Sequence, residues 1–346
     1  MAKNDFSLGF LQYLMTSKIS ISKISKSMDR LHIDPCKNLE FVSPNNVKVA
    51  VCPLEIQNYS SIGDYLSQLE QLVRAAAGGG AQLICFPEYS GVLPAFALPS
   101  FEKTALKLAE LIRAGDSGLK EEFRSMADNL IAPVLDAFLY SMEQLSGRFA
   151  IPIMAGSALV MEDDKIYNRF YFFSSSGEIV STYDKIHLSS VEKMLGIEPG
   201  KKLEAFDCEL GRAAMLAGND LQYFEPVKIL SRQGTSLLCT GWAKPAGETD
   251  LSMIRAAEGN LFILKSHLLG GSRIGTDFNG VSSVLAPFPI TREKDGVMAR
   301  VTEEEGAPPF ALVRLDLEKQ GEVFNIYTYD TNTEFYKEYL LSSYEK

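Results

Sequence analysis

Regular alternation of apolar and polar positions begins at Val47. Val47-Lys48-Val49-Ala50-Val51-Cys52 alternates and is rich in β-branched residues, which predicts a strand. From 62 to 77, Ile62, Tyr65, Leu66, Leu69, Leu72 and Val73 recur at helical spacing, and Gly78-Gly79-Gly80 closes the run. Leu83-Ile84-Cys85-Phe86 reads as a short apolar strand ended by Pro87. This β-α-β order predicts parallel neighbours in one sheet. Residues 100–148 are helical in pattern, with Pro133 expected to break or kink the second helix. From 150 the texture turns to strands at 151–156, 169–173 and 179–184, the last two joined by a turn at Ser175-Ser176-Gly177. Strands and helices then alternate through 213–217, 225–232, 236–239, 252–258 and 261–265. The stretches 281–285 and 311–317 read as the last strands.

The two ends have a different texture. Residues 1–46 are rich in Ser, Lys and Ile and are interrupted by Asp34-Pro35-Cys36 and by Pro44, so they read as a surface arm with a short helix at 6–16. At the other end Tyr327, Tyr329, Phe335, Tyr336 and Tyr339 crowd a terminal segment, as expected of an interface arm. The expected organisation is an N-terminal extension (1–46), a main domain (47–320) with a helical insertion at about 100–148, and an interface tail (321–346).

Composition narrows the function. The 346 residues are 46% hydrophobic and 23% charged, an ordinary globular balance. The formal charge of −10 argues against nucleic acid and against an anionic membrane surface as partners. No apolar run approaches the ~20 residues of a membrane span, and no convincing signal peptide starts the chain, so a cytoplasmic, reducing location is expected. Five cysteines without a C-x-x-C and three histidines far apart predict no metal site and no cofactor. G-x-x-x-x-G-K-[ST] and G-x-S-x-G are both missing, which removes phosphate-loop and serine-hydrolase readings.

The informative charges follow predicted strands, where α/β folds collect ligands. Glu88 ends Phe86-Pro87-Glu88-Tyr89. Lys185 ends Tyr183-Asp184-Lys185-Ile186-His187-Leu188, and Glu192 comes seven residues later. In their order along the chain these motifs resemble the nitrilase superfamily of carbon–nitrogen hydrolases. The resemblance extends to Tyr167-Asn168, Gly211-Arg212, Asp220 with Glu225, Arg255-Ala256-x-Glu258 and Asn279-Gly280-x-Ser282, and spans roughly 47–317. It implies an α/β fold, a four-layer α-β-β-α sandwich that dimerises through its helices. It also implies Glu88 as general acid/base, Lys185 as the cation that stabilises the oxyanion, and Glu192 as an orienting group.

The family's nucleophile is a Cys two residues before the Asp that matches Asp220. In Met215-Leu216-Ala217-Gly218-Asn219-Asp220 that position is Gly218. The expectation is therefore a catalytically impaired protein that binds a small amide-like or carboxylate ligand, or a partner. Glycine tolerates a strained elbow, and its lack of a side chain would leave a small space beside Glu88 and Lys185. The alternative is an active hydrolase that uses water activated by Glu88, or Cys239 as a substitute thiol. Among nearby residues, Trp242 reads as a pocket wall or a core aromatic. Lys265 is a pocket residue or a strand-end lysine reaching solvent, and His267 is a loop histidine.

Overall fold

The computed structural model describes residues 16–99, 101–244, 249–272, 275–302, 307–323 and 334. Helix α1 (Ile21–Met28) precedes β1 (Val47–Val51), β2 (Leu54–Ile56), α2 (Ile62–Gly78) and β3 (Leu83–Cys85). Two helices follow, α3 (Phe101–Ala114) and α4 (Leu119–Phe149), and then the strands β4 (Ile153–Glu162), β5 (Lys165–Phe173) and β6 (Ile179–Asp184). A short helix α5 (Ser190–Leu195) leads to β7 (Phe206–Cys208) and β8 (Gly211–Ala217). Next come α6 (Phe224–Arg232), β9 (Leu237–Trp242), α7 (Ser252–Gly259) and β10 (Phe262–Gly270). The described chain continues through β11 (Ser283–Leu285), β12 (Val297–Arg300), β13 (Ala311–Leu315) and α8 (Leu317–Gly321).

The strands form two mixed sheets. One runs in the order β13-β1-β3-β4-β5-β6; the other runs β12-β11-β10-β9-β8-β7, with β2 paired to β10. β1, β3 and β4 are parallel, as are β8, β9 and β10. Alternation along each strand sorts side chains into layers. Val47, Val49, Val51, Leu83 and Cys85 pack with Ala213, Met215, Ala217 and Leu237 between the sheets. Ala50 and Ile84, at the intervening positions, pack with Leu66, Leu69 and Val73 of α2 and Phe138 and Met142 of α4. Val227 and Leu230 of α6 and Ala256 of α7 cover the second sheet. The result is the α-β-β-α sandwich.

Two local expectations are corrected, and one turn is added. The arm is not merely superficial: Ile19, Ile24 and Met28 are buried in the same cluster as α2 and α4. Asn38 fastens the following segment by donating to the carbonyls of Ala77 and Ala81 (2.9 and 2.8 Å). Pro133 lies inside α4, which continues through it. A proline forfeits one helical hydrogen bond, but Val134, Phe138, Met142, Leu145 and Phe149 are buried along the next turns, and their burial holds the helix together. Finally, β4 and β5 meet in a two-residue hairpin at Asp163-Asp164, both at positive φ (48° and 63°), the conformation of a primed turn. The predicted helix at 6–16 lies outside the described residues except for Thr16, and the aromatic cluster of the tail lies wholly outside them. Among the described residues no helix is long and apolar enough to cross a membrane.

Candidate active site

Glu88, Lys185 and Glu192 come from three separate segments and meet in one buried cluster. Lys185 Nζ lies 2.8 Å from Glu88 Oε1 and 2.8 Å from Glu192 Oε2, and all three side chains are about as buried as core residues. Such a group is costly to desolvate unless every charge is hydrogen-bonded. The remaining bonds are present. Asn168, on β5, donates from Nδ2 to Glu88 Oε1 (2.8 Å) and to Glu192 Oε1 (3.1 Å). The Tyr89 hydroxyl donates to Glu192 Oε1 at 2.5 Å, and the Ser189 N–H donates to Glu192 Oε2 at 2.7 Å.

Local sequence explains each placement. Glu88 stands three residues beyond the end of β3, after Phe86-Pro87. Tyr89 turns the chain with a left-handed backbone (φ 60°), a strained conformation for an aromatic residue. It is held there by Ser157 of β4, whose Oγ accepts from the Tyr89 N–H at 2.8 Å. Glu192 does not end a strand. It is the third residue of α5 and closes a capping box with Ser189, so its carboxylate is oriented by its own helix as well as by the lysine. The pattern Ser189-x-x-Glu192 is visible in the sequence. Asn168 was legible only as part of the family motif; its bond to both carboxylates had no separate signal.

The charges within the cluster divide unequally. Burial pushes the Glu88 carboxyl up to about 7, against the pull of Lys185, with Glu192 adding to the rise. Glu192 is also penalised by burial, but Lys185, Tyr89 and Ser189 together hold it below the usual carboxylate range. Burial alone would lower Lys185, yet the two carboxylates outweigh it and keep the ammonium protonated. The cluster is thus a firm Lys185–Glu192 ion pair with a titrating acid beside it, a combination suited to moving a proton.

A hinge of hydrogen bonds ties this cluster to the end of β8. Gly218 opens a single 3-10 turn, Gly218–Gln222. Within it, the buried Asp220 accepts from the Tyr183 hydroxyl (2.6 Å) and from the His187 N–H (2.7 Å), residues on either side of Lys185. Asn219 Nδ2 donates to the His187 carbonyl at 3.0 Å. From the neighbouring strand, Gly241 presses on Glu88: a β-carbon at Gly241 would fall 2.4 Å from the Glu88 nitrogen. That approach requires glycine.

No small space remains at Gly218. A β-carbon there would lie 2.4 Å from Cδ2 and 2.7 Å from Cγ and Cε2 of Trp242. The indole covers the position. Gly218 is not among the positive-φ residues, so the constraint on it is steric rather than conformational. Trp242 in turn stacks on His267, with ring centroids 5.5 Å apart. His267 is a strand residue, paired with Trp242 across β9 and β10, and not a loop histidine. Lys265 does not reach solvent; it is buried and ion-paired with Asp250. Cys239 faces the interior between the sheets, where its thiol adjoins that of Cys85. All five cysteines are free. Among the described residues no group of His, Cys, Asp and Glu could hold a metal ion. Two surface clefts, of about 770 and 650 Å³, lie elsewhere, beside Arg124 and Glu198 and beside Lys23 and Arg30.

Fold and site define a member of a known class. Residues 48–290 match the carbon–nitrogen hydrolase family, and the chain belongs to that family. It is similar to a probable hydrolase, YhcX, of Bacillus subtilis, at 24% identity over 73% of this chain and 47% of that protein. The chain thus spans about half the length of that relative. It also resembles the 2-oxoglutaramate amidase of the same organism, at 24% identity over 53% of this chain and 68% of the amidase. Among solved structures, Nit3 of Saccharomyces cerevisiae, a nitrilase-superfamily member, superposes with a TM-score of 0.59 at 18% identity, covering 83% of this chain and 95% of Nit3. An amidase from Nesterenkonia sp. gives the same TM-score, 0.59, at 17% identity, covering 86% of this chain and 98% of the amidase.

Proposed function

We propose that this chain is a carbon–nitrogen hydrolase homologue without thiol catalysis, which uses its retained polar cluster to bind a small amide-like or carboxylate ligand. By the family resemblance Glu88, Lys185 and Glu192 are the acid/base, the oxyanion-stabilising cation and the orienting group, and Gly218 stands at the nucleophile's position. One observation carries the reading: the indole of Trp242 lies where any side chain at position 218 would go. Loss of the thiol and filling of its place go together, as in a site rebuilt for something other than acyl transfer. Without the thiolate, attack falls to water, a much weaker nucleophile. Binding and oxyanion stabilisation alone leave about 10³–10⁴ of acceleration over water in a dismantled catalytic unit.

The test is ammonia release by the full chain from a panel of amides, nitriles and N-carbamoyl compounds, with intact mass read alongside. Neither turnover nor a covalent adduct is expected. Turnover at rates typical of enzymes would overturn the proposal.

A second reading rests on Glu88, whose carboxyl lies near 7, the range a general base needs. In that case water activated by Glu88 performs the hydrolysis. It requires wild-type turnover that Glu88→Gln abolishes and Cys239→Ala leaves intact.

The family resemblance also implies self-association through helices. The exposed Tyr223, Ile229, Met253 and Ile254, on or beside α6 and α7, support a homodimer formed on that face, and a cytoplasmic location remains part of the proposal.

A further inference from the structure

The outer face of β9 and β10 carries a second polar group that the catalytic roles leave unused. Register places Thr240 beside Lys265 and Trp242 beside His267. Side chains two apart on a strand share a face, so all four project to the same side. Gly241, between Thr240 and Trp242, faces the other sheet and Glu88. The four are buried, His267 to 5% exposure and Trp242 to 2%.

Lys265 is paired with Asp250, but the other three are not satisfied: among the described residues, both ring nitrogens of His267, the indole Nε1 of Trp242 and the Thr240 hydroxyl lack a hydrogen-bond partner. An orphaned buried polar atom forfeits its hydration without compensation, and in a native protein it needs an explanation. Four in one patch mark a site built for an occupant. Cations surround the patch. Lys265 Nζ is 5.4 Å from the centre of the indole ring and Lys244 Nζ is 4.9 Å from it; Asp250 is the carboxylate paired to Lys265. Burial and the nearby Lys265 hold His267 far below its ordinary value, at about 3, so the imidazole is neutral and offers one donor and one acceptor.

We infer that Trp242, His267, Thr240 and Lys265 form a subsite for the carboxylate group of a small ligand. The indole N–H, the imidazole N–H and the threonine hydroxyl are three donors on one face, and Lys265 adds positive charge. A carboxylate presents about four acceptor sites and matches that set; a neutral amide brings its own donors and meets too few acceptors. This inference deepens the proposed binding role and rests on it, since it assigns the charged end of the ligand. Occupancy has a structural consequence as well. A ligand bonded to Nε1 engages the same indole that covers Gly218, so binding and the state of that position are linked.

Trp242 is the only tryptophan in the chain, so its fluorescence reports this site alone. The experiment titrates the full-length protein with butyrate and, separately, with its neutral counterpart butyramide, at constant ionic strength set with sodium chloride. Butyrate is expected to give a saturable change in intensity or wavelength, and butyramide a response at least tenfold weaker in affinity. Lys265→Gln and His267→Asn should each weaken butyrate binding by tenfold or more, with far-UV circular dichroism confirming the fold. If Lys265→Gln fails to fold, His267→Asn alone decides. No saturable response to butyrate, an equal response to butyramide, or unchanged affinity in the folded variants overturns the subsite. Ammonia release is measured separately, so a wild type that turns over amides yet prefers butyrate here would refute the non-catalytic proposal while retaining the subsite.

Discussion

Trp242 and Gly218 are matched in size: the indole occupies the volume that a side chain on residue 218 would need, with Cδ2 at 2.4 Å from the β-carbon position. A large residue on β9 and a missing one at the end of β8 thus form a single packed unit, and each makes the other necessary. Gly218→Ala is therefore expected to destabilise the fold by about 1–3 kcal/mol, the usual cost of overpacking. Trp242→Ala should cost about 3–5 kcal/mol by leaving a cavity. The double variant should cost less than the sum, with a coupling of about 0.5–3 kcal/mol. Urea melts of the four proteins measure this, and strict additivity would show that the two residues do not share the space.

The two glutamates on Lys185 should respond unequally. Glu88 sits near its midpoint at neutral pH, so Glu88→Gln replaces a partly protonated acid and should cost less than about 1.5 kcal/mol. Glu192 is held ionised by Lys185, Tyr89 and Ser189. Removing its charge strips a buried ammonium of its main partner, and Glu192→Gln should cost about 3–5 kcal/mol. Thermal unfolding at pH 7 gives both values; equal losses would contradict the division of charge within the cluster.

Stability should also depend on pH in two opposed ways. The Glu88 carboxyl is raised from 4.5 to about 7 in the folded protein. Its contribution is full below about 4.5 and is lost as pH rises through about 7. His267 is lowered from 6.5 to about 3. Its contribution is full above about 6.5 and is lost as pH falls through about 3. Glu88→Gln should flatten the decline between pH 5 and 8, whereas His267→Asn should flatten the decline below pH 6. Chemical denaturation across pH 3–8 separates them. A His267→Asn profile that parallels the wild type would place the imidazole in water.

Much of the frame is legible in the sequence. Val47–Val51 alternates because one face meets the second sheet and the other meets α2 and α4. The family order of motifs brought Glu88, Lys185 and Glu192 together although they lie far apart in the chain. The failures share a cause, which is packing between distant segments. Phe262-Ile263-Leu264-Lys265 reads as a uniform apolar run, so nothing indicates which positions face outward, and the burial of Lys265 and His267 depends on that register. The anchoring of the arm through Ile24 and Met28 needs α2 and α4 beneath it. A glycine at 218 shows only that no side chain stands there. That an indole fills its place depends on β8 and β9 being neighbours.

Self-association should follow the α6–α7 face. The full-length chain is expected to sediment as a dimer at micromolar concentration, and Ile229→Asp with Ile254→Asp should shift it to monomer without loss of helix content. A wild-type monomer would remove the dimer from the account.

The most direct measurement introduces a thiol at residue 218 and asks whether it can react. Gly218→Cys and Gly218→Cys/Trp242→Ala are treated with fluoroacetamide, and modification at residue 218 is read by peptide mapping, which separates it from the five natural cysteines. If position 218 adjoins the Glu88–Lys185 cluster and Trp242 closes it, the double variant should be modified at least tenfold faster than the single one, and Glu88→Gln should slow it. Equal rates in the two variants, or a double variant whose folded protein stays unmodified at 218, would contradict the claim that the nucleophile's place is intact and filled by Trp242.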